Sequence, residues 1–460
     1  MEGITFRSPR FFEEMADHKD RHVHVILIAT KPDIIKQVPL YRELKKRGHI
    51  AVLGHTGQHY DENLSGGMLK EFGVEPDFNL NVRGEMYEVV SQIIGRLGWL
   101  IREIKRGPAR RSSKSGGGKT VIPYVHGDTT TAMAASNAGF CHGFASVHVE
   151  AGIRTLTPKY VEYGMLNVGK SNIPYSTFNI PEWRKFLMNK NNWERGSLEP
   201  YPEQFNTRCS ECATGIHLAP VELDREFMLS EGFPEDRIFV VGNSVVDATE
   251  EALKQAKKSK IFEKYPVLKN GDFVRFCIHR RENCISEKRF MAIYNAMKSL
   301  IEDGRKVLLI SMIQTKAAFK RFNLESEVMT LAKKHPNFVL SDVWPEYGDV
   351  IAAMDKAAVC ATDSGSMQEE MNALGVPCVT LRFGSDRSES AMGGGNLIAP
   401  PMDAALVKKM IEFAWDNKDM RKAPKLYGKN VSSTCIDAVE KVLASGEVFR
   451  TDEERLRVLE

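Results

Sequence analysis

Short apolar runs alternate with amphipathic segments through most of this 460-residue chain, and the alternation predicts an α/β protein. The runs are apolar at nearly every position, which is typical of parallel strands covered by helices on both faces. The alternation stops in the polar, lysine-rich stretch 243–272 and then begins again. The sequence therefore predicts two doubly wound parallel sheets, each in its own domain.

The first domain is predicted to span residues 22–242. Its strands are predicted at 23–30, 49–56, 121–126, 145–149, 215–218 and 238–242. Its main helices are predicted at 34–47, 85–105, 129–140 and 221–231. Two segments lack both periodicities: the basic, Ser/Gly-rich loop 107–119, and residues 155–200, which are expected to form a long irregular insertion.

The second domain is predicted to span residues 243–425. Its strands are predicted at 273–278, 307–310, 338–340, 358–361 and 378–381. Residues 1–21 are expected to be an irregular extension, and 426–460 to contain a helix that crosses back to the first domain. Because doubly wound sheets bind ligands outside the carboxyl ends of their strands, the active site is expected in a cleft between the two domains.

The composition is that of a globular protein with a large core, since 42% of the residues are hydrophobic and 27% are charged. A formal net charge of +3 is too small at this length to favour nucleic acid or an anionic membrane as the main partner. The chain has no apolar run of the ~18 residues that span a membrane, and its N-terminus lacks a signal-peptide core. A cytoplasmic location is expected.

The eight cysteines are scattered, and several lie in apolar runs where a thiol packs as a small hydrophobic group. Cys209 and Cys212 have the spacing of a metal-ligand pair, but no second Cys/His pair of matching spacing accompanies them. This weak signal predicts no metal site.

Three acids of the first domain are candidates for general acid–base chemistry. Asp128 and Glu150 directly follow apolar strands, whereas Glu203 has little local signal of its own. Carboxylates in a partly dry cleft acquire raised pKa values and exchange protons near neutral pH. For Asp128, an N-cap role in the following helix is an equal alternative. Lys31 and Lys36 flank the first strand–helix turn, and Lys36 either reaches the cleft or faces solvent.

Cations follow two strands of the second domain. His279 and Arg280 come directly after an apolar strand, and Arg382 and Arg387 come after the last one. Arginine presents a fork of donors that suits a diphosphate, and histidine adds one more donor. A surface charge cluster is the alternative interpretation. The glycines at 393–395 either let backbone approach a ligand or simply form a loop.

The stretch 357–389 reads as a strand, a turn of small polar residues at 362–366, a helix and another strand. Such a turn leaves backbone N–H groups at the positive end of the helix dipole, which is an anion site. Glu369 and Glu370, in the first turns of the helix, are suited to accept hydrogen bonds from a ribose diol. The alternative is that the polar residues only cap the helix.

These segments together resemble the UDP-N-acetylglucosamine 2-epimerase family, especially its non-hydrolysing members, from about residue 23 to about residue 443. The segments that carry the resemblance are Ala29–Asp33, Thr56–His59, Val125–Thr130, His148–Arg154, Pro202–Asn206, Gly242–Asp247, His279–Glu282 and Asp363–Glu370. Each is moderately specific, and their order and spacing together are strongly so.

The resemblance implies a GT-B fold of two Rossmann-like domains facing a central cleft, with the nucleotide mainly on the second. It implies inversion of C2 of UDP-GlcNAc, or a close UDP-2-acetamido sugar, to give UDP-ManNAc for surface-polysaccharide precursors. The reaction eliminates UDP and adds it back, without metal or NAD. A homodimer with a UDP-sugar as its small-molecule partner is also implied.

The same resemblance assigns roles residue by residue. The implied catalytic residues are Asp128, Glu150, Glu203, His279 and Lys36. The implied UDP-binding residues are Lys31, Arg280, Glu282, Ser364, Gly365, Ser366, Glu370, Arg382 and Arg387. Among them, Glu370 is expected to bind the uridine ribose, and the start of the helix with His279 and Arg280 is expected to bind the diphosphate.

The chain departs from the family pattern at Lys31 in place of Arg, Gln204 in place of Glu and Ser366 in place of Gly, and in its insertion. A changed sugar substrate is compatible with these departures. Three alternatives stay open: a hydrolysing 2-epimerase that releases ManNAc and UDP, a GT-B glycosyltransferase, and a UDP-sugar-binding sensor without activity.

Overall fold

The computed structural model describes six ranges, which are residues 3–18, 22–57, 66–106, 119–160, 178–197 and 199–445. These residues form two compact units. Unit 1 comprises the described residues of Met1–Ile153, Tyr201–Ala248 and Tyr427–Glu460, and unit 2 those of Arg154–Pro200 and Thr249–Leu426. The predicted insertion thus packs with unit 2, although segments of unit 1 flank it in the chain.

Some predicted features lie outside the described residues. They are nearly all of the basic loop 107–119, the middle of the insertion at 161–177, Gln58 and His59 of one family-like segment, parts of the N-terminal extension, and residues 446–460.

The strands, in chain order, are β1 Thr5–Phe6, β2 His22–Ile28, β3 Ile50–His55, β4 Phe78–Asn79, β5 Thr120–His126, β6 Val147–Val149, β7 Thr157–Pro158, β8 Trp193–Glu194, β9 Ile216–Ala219, β10 Ile238–Val240, β11 Phe273–Cys277, β12 Lys306–Ser311, β13 Phe338–Asp342, β14 Val359–Thr362, β15 Cys378–Thr380 and β16 Asn396–Ile398.

The α-helices, numbered in the same way, are α1 Phe11–Asp17, α2 Lys31–Lys46, α3 Gly67–Glu71, α4 Met86–Arg106, α5 Thr130–Cys141, α6 Ile180–Leu187, α7 Glu203–Cys212, α8 Glu222–Ser230, α9 Val245–Ala256, α10 Ile261–Lys264, α11 Arg281–Ile285, α12 Glu287–Glu302, α13 Ile313–Arg321, α14 Glu325–Lys334, α15 Tyr347–Lys356, α16 Gly365–Leu374, α17 Ser388–Met392, α18 Ala404–Asp416 and α19 Val431–Ala444.

Unit 1 is built on an eight-stranded sheet in the order β1-β4-β3-β2-β5-β6-β9-β10. Every neighbouring pair is parallel except β1 and β4 at one edge. The central strands are buried on both faces, which is why they read as continuous apolar runs. The order of the strands reverses direction between β2 and β5, and such a switch point opens the crevice in which these sheets bind ligands.

Helix α2 begins directly after β2 because its first turn carries strong start signals. Thr30 is the N-cap and forms a capping box with Asp33, and Pro32 occupies the first turn. At the other end of α2, Arg47 bonds the side chains of Asp437 at 2.7 Å and Glu440 at 2.9 Å. The C-terminal helix α19 therefore packs against α2 within unit 1.

Unit 2 is built on six parallel strands in the order β13-β12-β11-β14-β15-β16. Counted within the unit, this is the order 3-2-1-4-5-6 of a Rossmann fold, with its switch point between β11 and β14. The loop after β11 carries His279 and Arg280, and the loop after β14 carries Asp363 and Ser364. The topology thus brings these two predicted site segments to the same place.

The prediction of an irregular insertion is wrong for its described part. Residues 180–187 form α6, and β7 pairs with β8 in an antiparallel hairpin. Asn179 caps α6 by accepting a hydrogen bond from the backbone of Glu182 at 3.2 Å. Ile180, Trp183 and Leu187 are buried along one face of the helix. The helical period was present in the sequence but is short and is surrounded by Asn and Pro.

The polar stretch 243–272 is largely helical, because α9 and α10 lie within it. Helix α9 itself contains the division between the two units, which falls after Ala248. Within the described ranges, no helix is both long and apolar enough to cross a bilayer.

Candidate active site

Glu150 lies directly after β6 in an unusual backbone conformation. Its φ angle is 67°, in the left-handed region that non-glycine residues rarely adopt. Gly152, two residues on, has a φ of 89°, and its N–H group donates to Oε1 of Glu211 at 2.6 Å. Left-handed residues of this kind cost free energy and cluster at functional sites, so the turn favours a functional role for Glu150.

The carboxylate of Glu150 is buried and is the centre of a polar cluster. Its Oε2 atom accepts hydrogen bonds from Lys36 Nζ, from the ring of His126 at 2.9 Å and from Asn243 Nδ2 at 3.1 Å. Lys36 is only 1% exposed, so the alternative that it faces solvent is wrong. The two residues that sequence patterns singled out separately form one buried ion pair.

His126 joins this cluster to Asp33. Its Nδ1 atom lies 2.9 Å from Oδ1 of Asp33, and Nε2 faces Glu150. Burial lowers the pKa of His126, but the charge of Glu150 and the hydrogen bonds to both carboxylates outweigh it and raise the pKa to about 9. His126 is therefore a cation at neutral pH. His126 and Asp33 lie in segments that carry the family resemblance, but the sequence did not single them out as site residues.

Asp33 is fixed at the start of α2. Its Oδ2 atom accepts hydrogen bonds from the backbone N–H groups of Ala29 at 3.1 Å and Thr30 at 2.9 Å. A carboxylate in this position also lies at the positive end of the helix dipole. The polar chain in unit 1 therefore runs Asp33, His126, Glu150, Lys36, with the charges alternating in sign.

Asp128 is not the N-cap of α5, so that alternative is wrong. Thr129 holds this position, and its side chain accepts from the backbone of Ala132 at 3.1 Å. The carbonyl oxygen of Asp128 accepts from Asn206 Nδ2 at 3.0 Å. Because Asn206 lies in the first turn of α7 and Glu203 opens that helix, this bond links the loop of Asp128 to the helix of Glu203.

Gly127 places the loop of Asp128 near the Glu150 cluster. A Cβ atom at Gly127 would lie 3.9 Å from Oε1 of Glu150. Lys31 opens α2 and is half-buried, and burial lowers the pKa of Lys31 despite the charge of Glu71. The predicted first-domain residues therefore all follow strands β2, β5 and β6 or open α7.

In unit 2, Asp363 organises the loop after β11 rather than capping α16. Its carboxylate accepts from the backbone N–H groups of His279 at 2.9 Å and Arg280 at 3.0 Å, and from Asn283 Nδ2 at 3.0 Å. Nδ1 of His279 lies 3.2 Å from Oδ1 of Asp363. Burial opposes the charge on His279, but the bonds and charge of Asp363 and the Cys277 thiol raise its pKa to about 10.

The loop 382–387, which we call the arginine loop, follows β15 and collects buried cations around Asp386. Arg382 Nη1 bonds Oδ1 of Asp386 at 2.7 Å, and Arg387 Nη1 lies 3.5 Å from Oδ2. Arg280 Nη2 lies 3.9 Å from the same Oδ2 atom. Burial disfavours the charge of Asp386, but the three arginines hold its pKa well below the usual range. Sequence reasoning found the arginines and missed Asp386.

The N-terminus of α16 lies against this cluster. Ser364 is at the N-cap position without a side-chain cap bond, and the helix begins at Gly365. A Cβ atom at Gly365 would lie 3.2 Å from Oδ2 of Asp386, so a side chain there would crowd this carboxylate. Ser366 is half-buried in ordinary helical backbone, which tolerates its side chain. Arginines and a helix N-terminus together suit a phosphate group.

The two glutamates of α16 have different partners. Glu369 accepts from Nε of Arg387, and Glu370 Oε1 accepts from the Tyr347 hydroxyl at 2.7 Å. Glu369 is therefore engaged in holding an arginine, and Glu370 is the better candidate for a ribose. Glu282 is half-buried on the short helix α11.

No group of three or more His, Cys, Asp or Glu side chains in the described ranges is arranged to hold a metal ion. Cys209 is half-buried, Cys212 is exposed at the end of α7, and both are free thiols.

The fold defines a class first: two Rossmann-like α/β units of the GT-B type, as the resemblance implied. The solved Methanocaldococcus jannaschii UDP-GlcNAc 2-epimerase, in complex with UDP-GlcNAc and UDP, matches with a TM-score of 0.70 and 25% identity, over 91% of this chain and 99% of that one. The Neisseria meningitidis enzyme bound to UDP-GlcNAc has the same fold, with a TM-score of 0.69 and 22% identity over 92% of this chain and 100% of that one.

The family model for UDP-N-acetylglucosamine 2-epimerase matches residues 42–162 and 195–440. Relatives with that name are 27% identical in Methanocaldococcus jannaschii, over 88% of this chain and 95% of that one, and 28% identical in Bacillus subtilis, over 91% and 94%. The chain belongs to the UDP-N-acetylglucosamine 2-epimerase family, and the predicted family is confirmed.

Proposed function

We propose that this protein inverts C2 of UDP-GlcNAc, or of a close UDP-2-acetamido sugar, to give UDP-ManNAc without net hydrolysis. A base removes the C2 proton while the bond between C1 and the diphosphate oxygen breaks, which leaves a 2-acetamidoglucal and UDP. A proton then returns to C2 from the opposite face and UDP adds back at C1. The buried Lys36–Glu150–His126 cluster is the observation that carries this proposal.

The cluster supports proton transfer at an unactivated carbon. The buried carboxylate of Glu150 accepts hydrogen bonds from Lys36 and His126, so it is fixed in place before substrate binds. Proton removal and proton return take place on opposite faces of C2, so the reaction needs two acid–base groups. We assign these two steps to the set of acids Asp128, Glu150 and Glu203. The positive charges of Lys36 and His126 lie beside Glu150 and offset its negative charge during transfer of the C2 proton.

The cluster of unit 2 supports departure of UDP. Breaking the C1–O bond leaves an extra negative charge on the diphosphate, and preorganised donors stabilise such a charge most effectively where water is excluded. The buried Arg382 and Arg387 are donors of this kind, with the half-buried Arg280 and the cation His279 beside them. The start of α16 at Ser364, Gly365 and Ser366 adds backbone N–H groups. We assign the uridine ribose to Glu370.

The remaining residues that we assign to UDP binding are Lys31 and Glu282. Lys31 supplies a point charge rather than a fork, so it orients the phosphates less strictly than an arginine would. The homodimer implied by family resemblance stays a prediction.

The proposal is tested by incubating the purified protein with UDP-GlcNAc alone and quantifying UDP-ManNAc, free UDP and free ManNAc by anion-exchange chromatography. We expect a stable mixture of the two UDP-sugars with only traces of free UDP. Free UDP and ManNAc formed in equal amounts until the substrate is exhausted would instead identify a hydrolysing enzyme. No conversion without an added acceptor would favour a glycosyltransferase or an inactive sensor.

A further inference from the structure

The described part of the insertion, residues 154–160 and 178–197, forms a structure that we call the brace segment. The family model skips residues 163–194, so α6 and part of the hairpin have no counterpart in it. The brace segment nevertheless packs with unit 2 and is part of that compact unit. Its contacts concentrate on the arginine loop and the backbone just beyond it.

The first part of the brace segment bonds directly to the arginine loop. Leu156 and Ser385 exchange two backbone hydrogen bonds, at 3.0 and 2.9 Å, as a short antiparallel bridge. The Tyr160 hydroxyl donates to the carbonyl oxygen of Phe383 at 2.5 Å. Between them, a Cβ atom at Gly384 would lie 2.7 Å from the carbonyl oxygen of Leu156, so the two backbones are in close contact.

Helix α6 anchors this contact to the end of the sheet. The fully buried Trp183 donates from Nε1 to the carbonyl oxygen of Ile398, the last residue of β16, at 2.9 Å. Its indole stacks on Tyr160 with ring centroids 5.6 Å apart. Arg184 donates to the carbonyl oxygen of Gly394 at 3.0 Å. The glycine segment 393–395 is therefore held by the insertion.

A residue just beyond the brace segment, Glu199, adds a second support. Glu199 binds Arg289 of α12 with two bonds, at 3.0 and 3.1 Å. The guanidinium of Arg289 in turn lies over the ring of Phe383, 4.8 Å from its centroid. Tyr160 therefore binds the carbonyl oxygen of Phe383, and Arg289 packs on its ring.

The backbone around Ser385, which the brace segment contacts, also fixes the position of Arg387. The Ser385 hydroxyl accepts from the backbone N–H of Arg387 at 2.9 Å and donates to Gln368 of α16 at 2.7 Å. A shift of Ser385 would therefore move Arg387 and its bond to Glu369. Six hydrogen bonds join the brace segment to residues 383–398, where the regular elements are the short helix α17 and the strand β16.

We propose that the brace segment holds the arginine loop in the conformation that binds a diphosphate, with Tyr160 and Trp183 as positioning residues. The inference rests on the proposed function, because it takes the ligand of the arginine loop to be the diphosphate of UDP. The brace restricts the loop before ligand arrives, so the ordering cost of binding is lower.

The test is Tyr160→Phe, which removes one hydroxyl and leaves the ring stack in place. UDP affinity is measured by isothermal titration calorimetry, and loop protection by hydrogen exchange of peptides covering 382–395. We expect the Kd for UDP to rise about three- to tenfold, the size of one lost hydrogen bond, with faster exchange in that peptide. Trp183→Phe, which loses the bond to Ile398 together with part of the buried ring stack, is expected to act in the same direction.

Two controls separate positioning from general weakening. Tyr265→Phe removes a comparable hydroxyl contact, 2.9 Å from Ser341 Oγ, at the opposite edge of the same sheet, and is expected to leave the Kd within twofold. Uridine, which lacks phosphates, is expected to bind wild type and Tyr160→Phe equally in an NMR titration.

Unchanged UDP affinity in both brace variants would overturn the proposal, whatever their melting temperatures. An equal loss for uridine and UDP would also overturn it, because that pattern reports general weakening. If wild type bound no UDP, the proposed function would fail, and hydrogen exchange in the variants would still decide whether the loop is held by the brace.

Discussion

The Nε2 atom of His126 lies 2.9 Å from Oε2 of Glu150, inside unit 1 and out of contact with bulk water. The imidazolium has a second carboxylate on its other ring nitrogen, from Asp33. A cation placed between two anions in this way stabilises the fold only while it carries its proton. The cluster is therefore expected to affect the pH dependence of stability as well as catalysis.

The first prediction concerns His126 and pH. Its pKa is about 9 in the folded protein, against about 6.5 in an unfolded chain. The stabilisation is fully present below pH ~6.5 and is lost as pH rises through ~9, a change of about 3 kcal/mol in the free energy of unfolding. His126→Gln lacks this dependence. Urea unfolding of wild type and His126→Gln at pH 6.5 and 9.5 measures this difference. An equal loss of unfolding free energy in the two proteins between these pH values would contradict the prediction.

The second prediction separates the catalytic from the structural role of Glu150. Glu150→Gln is expected to reduce turnover at least about 100-fold, because a positioned acid or base is lost. It also removes the charge that faces the buried Lys36, at a cost of roughly 3 kcal/mol. The double variant Glu150→Gln/Lys36→Met is expected to regain stability but not turnover. Recovery of turnover in the double variant would show that Glu150 acts only as a structural partner.

The third prediction concerns Asp386. Asp386→Asn leaves Arg280, Arg382 and Arg387 without the shared carboxylate charge, so unfolding should become easier by roughly 3 kcal/mol. The matched control is Asp303→Asn, which breaks an exposed pair with Lys408 and should cost about 0–1 kcal/mol. Denaturant midpoints of the two variants provide the comparison. Equal effects would mean that the buried cluster is not organised by Asp386.

Much of the fold followed from local patterns. Strands buried on both faces, such as β2, β5 and β11, read as continuous apolar runs, and their polar ends marked where the site residues lie. The short strands β1, β4 and β16 were missed, because two or three residues carry no period. Helix α6 was missed because its apolar period of Ile180, Trp183 and Leu187 is short and is surrounded by Asn and Pro.

The candidate site was predicted unevenly for a related reason. Glu150 and Lys36 were singled out by position, but their pairing joins residues 114 positions apart in sequence and needs the strand order β2-β5-β6. His126 and Asp386 were missed because a residue that holds other side chains has no signature beyond its place in three dimensions. The packing of the insertion on unit 2 was likewise invisible, since flanking sequence suggested the first domain.

The central claim is that the proton on C2 of the sugar is removed and replaced while UDP returns to C1. A proton NMR time course of UDP-GlcNAc with the protein in D2O tests this directly. We predict that UDP-ManNAc appears with deuterium at C2, that deuterium then accumulates in UDP-GlcNAc, and that free UDP stays a trace. Retention of the C2 proton throughout, or release of UDP matching the loss of substrate, would contradict the account.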